Sequence, residues 1–93
     1  MVINTKLLKD YIVAEEQEGT FSVNASSFAG LSLDVAKTGY TPLGIIGIDT
    51  NSNNLYVGKF RILNATAYVT IRNISTSAVN NATYRVAILY LKN

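Results

Sequence analysis

Glu15, Glu16 and Glu18 place three carboxylates within four residues. Such a cluster suits a hard cation, or the acid and base of glycoside hydrolysis. Hydrolysis needs one carboxyl held in an apolar pocket that raises its pKa. A charged run ending at Gly19 reads instead as a solvated turn. Asp49, Asn51 and Asn53 open like a calcium loop, Asp-x-Asn-x-Asn. The match then fails: Asn54 stands where the turn glycine belongs and Phe60 where the bidentate Glu belongs. Asx residues also make turns on their own account. Asp34 and Asp49 show no partner in the sequence. The chain has no Cys and no His, which removes thiol chemistry, the commonest metal ligand and the usual general base. The sequence therefore predicts no catalytic residue, no metal site and no cofactor.

Binding is the chemistry left. Six tyrosines occur, and a Tyr ring both stacks on a sugar and hydrogen-bonds it. Tyr is equally at home in sheets and interfaces. Tyr40 and Tyr56 lie nearest loops, so with Asn51 and Asn53 they are the candidate ligand-binding residues. Phe21 and Phe60 are assigned to the core. Four Asn-x-Ser/Thr triplets, at Asn24, Asn64, Asn73 and Asn81, read as turns rather than glycan acceptors.

The elements that must position these residues are strands. Leu43 and Ile45 alternate against Ile46 and Ile48, which predicts a central strand over 43–48 covered on both faces. Pro42 belongs at its entrance. The alternation of Leu31, Leu33 and Val35 predicts a strand over 30–37. Further strands are expected at 20–24, 55–63, 66–72 and 84–92. Residues 7–14 have helical spacing in Leu7, Leu8, Tyr11 and Ile12, but Tyr-Ile-Val favours a strand. A loose lead-in is expected over 1–6, and loops over 49–54 and 73–83. Seven strands with turn signals about every ten residues predict one all-β domain over 1–93, a small antiparallel β-sandwich of jelly-roll-like form.

The chain is 48% hydrophobic and only 15% charged, against about 25% charged in an average globular protein. The rows Tyr84–Val86–Ile88–Tyr90 and Ala87–Leu89–Leu91 make the last strand apolar on both faces, so an outer face is expected to meet another subunit. Net charge is +2 with Lys and Arg spread singly, which predicts no nucleic-acid partner. No leader or long apolar span is legible, so no membrane insertion is expected.

Three pieces in order carry a resemblance: Gly39-Tyr40-Thr41-Pro42-Leu43-Gly44-Ile45-Ile46-Gly47, then Ala67-Tyr68-Val69-Thr70-Ile71-Arg72-Asn73, then Val86-Ala87-Ile88-Leu89-Tyr90. Together they resemble the C-terminal tip domains of phage and prophage tail-fibre and receptor-binding proteins, over about residues 20–92. The resemblance implies a homotrimer at the end of a virion appendage, made in the bacterial cytoplasm without a signal peptide, that contacts a saccharide or protein of the host surface. Such tips usually end a long fibre, and here the chain is the tip alone. A structural virion, baseplate or decoration protein with no ligand of its own is the alternative. A glycan-active enzyme would need an acid–base pair and a deep cleft, and neither is legible.

Overall fold

A computed structural model describes residues 11–93. The expected lead-in over 1–6 and the first half of the 7–14 segment lie outside the described residues. Six strands follow: β1 (Ile12–Val23), β2 (Phe28–Asp34), β3 (Tyr40–Thr50), β4 (Leu55–Leu63), β5 (Thr66–Asn73) and β6 (Val79–Lys92). They form two three-stranded antiparallel sheets, ordered β1-β6-β3 and β2-β5-β4. The all-β class is as the alternation predicts. The count is six among the described residues, not seven: residues 12–14 and 20–23, from two segments expected as separate strands, belong to one strand, β1.

Glu15 to Gly19, expected as a turn, is the middle of that strand. Glu and Gln are poor strand formers in isolation, but pairing along nearly the whole of β6 overrides the preference. Gly19 has a specific neighbour. A Cβ built on it would lie 2.4 Å from the Tyr84 hydroxyl oxygen, so the Tyr84 ring covers the strand where a side chain is missing.

The inner faces of the two sheets share two hydrophobic clusters. Phe21, Val23 and Ala82 of one sheet meet Leu55, Val69 and Ile71 of the other. Val86, Ile88 and Tyr90 meet Ala67 and Val35. The middle strands β5 and β6 supply most of this core, through every second residue. Tyr90 is buried, and its hydroxyl donates to the Val35 carbonyl at 2.7 Å. Asn73 is fully buried and joins three segments. Its amide donates to the carbonyls of Asn24 and Ser77, and its side-chain oxygen accepts from the Ser75 amide.

The 43–48 segment is not central. It lies within β3, at the edge of its sheet, and β6 holds the centre. Two bulges explain the misreading. The register with β6 slips between Pro42 and Gly44 and again between Ile45 and Gly47. Each slip resets the alternation, so Ile45 and Ile48 both turn to the core while Leu43 and Ile46 are left exposed. An edge position also admits Pro42 within the strand instead of before it. Phe60, assigned to the core, is 51% exposed. A bulge between Val57 and Phe60 at the edge of β4 leaves its ring uncovered.

Of the four triplets read as turns, those at Asn24 and Asn64 start turns, whereas Asn73 ends β5 and Asn81 lies within β6. Asn64 and Ala65 both take positive φ in the β4–β5 hairpin, the geometry of a tight two-residue turn. Asn81, at φ 55°, lies in a bulge inside β6, so the loop expected over 73–83 shrinks to 74–78. Among the described residues, no helix is long and apolar enough to cross a membrane.

Candidate functional site

The outer face of β2-β5-β4 is built in lateral rows by its register. Phe28, Arg72 and Tyr56 make one row, and Ser32, Tyr68 and Arg61 another. Between them Gly30 pairs with Thr70, and Gly58 lies on the other side of Thr70, its absent Cβ position 3.5 Å from the Thr70 carbonyl. Two aromatic–arginine rows thus flank a floor whose outer positions carry no side chain. Four residues of β5 separate the rows, about 13 Å. Gly58, Lys59, Phe60, Arg61, Tyr68 and Thr70 line an open trough of about 720 Å³.

The charge on this face is one-sided. Lys59, Arg61 and Arg72 are exposed, and Asp34 is the one carboxylate in the same register. Asp34 already accepts the Ala36 amide at 3.0 Å. Among the described residues none of the three cations forms an ion pair. The Arg61 guanidinium lies over the Tyr68 ring, 5.7 Å from its centroid, which orients the fork while leaving its N–H groups outward. Phe28 is 72% exposed, and Tyr56 and Tyr68 are exposed too.

The outer face of β1-β6-β3 is the reverse. Glu16, Glu18, Asp49 and Arg85 meet on it; all but Glu16 line an open depression of about 440 Å³ together with Thr20, Asn51 and Thr83. Its polar groups are spent on one another. Arg85 Nε donates to Glu18 at 2.9 Å and lies 3.6 Å from Glu16. Asp49 accepts the Thr50 amide, and the Asn51 side-chain oxygen accepts the Thr83 amide at 2.9 Å.

Glu15 and Gln17 point inward instead, at the β1 edge. Lys37 donates to Glu15, and Gln17 donates to the Asp34 carbonyl at 2.8 Å. Its hydrogen bond to Glu15 holds the Lys37 ammonium above its ordinary pKa. The β1–β2 side of the molecule is therefore bridged by polar contacts. The β3–β4 side is apolar: Ile45, Ile46, Ile48, Val57 and Phe60 line a groove between the two edge strands.

The structure separates the four residues singled out as ligand candidates. Tyr56 stands on the aromatic–arginine face, opposite Arg72. Asn51 lies in the acidic depression, tied to Thr83. Asn53 is exposed in the short turn before β4. Tyr40 is at the far end of β3, half-buried, with the Lys37 ammonium 5.0 Å from its ring centroid. Sequence reasoning missed Arg61, Arg72, Tyr68 and Phe28 as a group. The signal was present in the strand parity of Tyr68 and Arg72, but the cross-strand partners that complete each row follow only from register. Among the described residues no three of His, Cys, Asp and Glu gather as a metal site would need. The chain matches no family model, no curated protein and no solved structure at a significant level.

Proposed function

We propose that this chain is a tip module of a phage or prophage tail fibre or receptor-binding protein, that it sits in the virion as a homotrimer, and that it holds a host-surface saccharide on the outer face of β2-β5-β4. In this reading the two sheets are the layers of a small jelly-roll-like sandwich. The observation that carries the proposal is the division of the surface. An open aromatic–arginine face suits a ligand, and an apolar groove on a different side suits sister copies.

Ile46, 57% exposed, and Phe60, 51% exposed, both line the groove, so its apolar side chains stand uncovered in the single chain. Closed rotational symmetry covers such a groove, and the resemblance to phage tips selects three copies. The outer row of β6 is a weaker contact than its sequence suggests, because Ala87 and Leu89 are already half-covered by neighbouring strands. Binding rather than turnover is supported by the exposed, paired state of Glu16 and Glu18.

Light scattering tests the assembly. Three times the chain mass of 10.1 kDa is expected, with Ile46→Lys or Phe60→Lys giving a smaller or aggregating species and Thr76→Lys giving no change. A monodisperse monomer at micromolar concentration contradicts the trimer. A trimer that binds no glycan leaves the purely structural virion component as the better reading.

A further inference from the structure

The geometry points to an acidic saccharide, a polymer of sugar rings bearing carboxylates, as the ligand of the β2-β5-β4 outer face. This inference rests on the saccharide-binding reading above and narrows it. Arg61 and Arg72 stand in opposite rows of this face; Arg61 and Lys59 line the trough, and Arg72 stands in the row beyond Thr70. A guanidinium fork matches a carboxylate with two parallel hydrogen bonds. Tyr68 and Tyr56 supply faces for the apolar side of a sugar ring. The floor at Gly30, Thr70 and Gly58 leaves room for the ring itself and offers the Thr70 hydroxyl.

The opposite face excludes the same polymer. Glu16, Glu18 and Asp49 outnumber Arg85 there, and Arg85 is already engaged. A polyanion approaching the molecule is therefore drawn to one sheet and repelled by the other. Single-stranded nucleic acid fits less well. It needs aromatic platforms adjacent enough for successive bases. Here Tyr68 and the Phe28–Tyr56 row are about 13 Å apart along the strands, and Arg72 separates Phe28 from Tyr56.

The experiment is interferometry with the full chain against polygalacturonate, hyaluronate and polysialic acid, with a panel of neutral glycans and oligo-dT beside them. Saturable binding to at least one acidic polymer is expected, weakening as salt rises. Arg61→Gln and Arg72→Gln should each weaken it by about tenfold or more. Gly30→Gln should do the same by filling the place beside Thr70 between the two rows. Apart from its own chain neighbours nothing lies within 4 Å of a Cβ built at Gly30, so this variant tests the face without crowding the fold. Glu18→Gln should leave binding unchanged. Equal or tighter binding to neutral glycans, or acidic binding indifferent to both arginines, overturns the inference and leaves the adsorption reading standing. Preference for oligo-dT overturns it in favour of nucleic acid. No binding to any glycan removes both the inference and the saccharide-binding reading.

Discussion

The two outer faces stand on one shared core, yet they differ in charge and in what their polar groups do. On β1-β6-β3, parity sets Arg85 across from Glu18 with Glu16 beside it, so the cation is neutralised within the face. On β2-β5-β4, parity sets Arg72 between Phe28 and Tyr56, and Arg61 beside Tyr68. Among the described residues neither arginine forms an ion pair. The difference is one of residue count, three carboxylates to one cation against three cations to one carboxylate, and of the register that sets partners together. A slip of one residue in either middle strand would turn its charges inward and undo the face.

The comparison breaks most completely if the shared core fails. Ile88 is fully buried in the middle of β6, and Ile88→Ala should cost about 2–5 kcal/mol. Urea unfolding should show the loss, with ligand binding and assembly falling together. Retained stability would mean that the two sheets do not depend on this cluster.

A smaller effect separates the ends of the core by pH. Burial, assisted by the nearby Glu15 charge, raises the Tyr90 phenol above its ordinary 10.0. The folded chain therefore holds this proton at pH values where the unfolded chain has lost it. Stability is intact below pH 10 and falls as pH rises through and beyond it. Lys37 is also raised, by its hydrogen bond to Glu15, and its contribution disappears in the same alkaline window. Tyr90→Phe leaves the Val35 carbonyl without its donor, at about 1–3 kcal/mol near neutral pH. It should also make the alkaline fall shallower than in the parent. An identical alkaline slope in the two proteins would contradict the role given to Tyr90.

The smallest effect is expected on the acidic face. Arg85→Gln breaks exposed ion pairs and should change stability by about 1 kcal/mol or less. A larger loss would show that this face is structural in a way the other is not.

The sequence carried the class of the fold and much of its interior. Leu31, Leu33 and Val35, and the row from Tyr84 to Tyr90, announced their faces by alternation, and they pack as expected. What it hid were departures from alternation. Bulges in β3 turned an apparently two-faced central strand into an edge strand, and a bulge in β4 exposed Phe60. Charged residues over 15–19 looked like a turn because their partners, Lys37 and Arg85, are distant in sequence. The same blindness to cross-strand partners scattered the ligand candidates. Tyr56 belongs to the aromatic–arginine face, but nothing in the chain order joins it to Phe28 or Arg72.

The central claim is that the molecule meets its ligand with the β2-β5-β4 face and not with the other. Amide chemical shifts, followed by NMR during titration with the acidic polymer that binds, test this most directly. The amides of Gly30, Gly58 and Thr70 are predicted to move saturably while those of Thr20, Asn51 and Thr83 stay still. Shifts concentrated at Thr20, Asn51 and Thr83 would contradict the account.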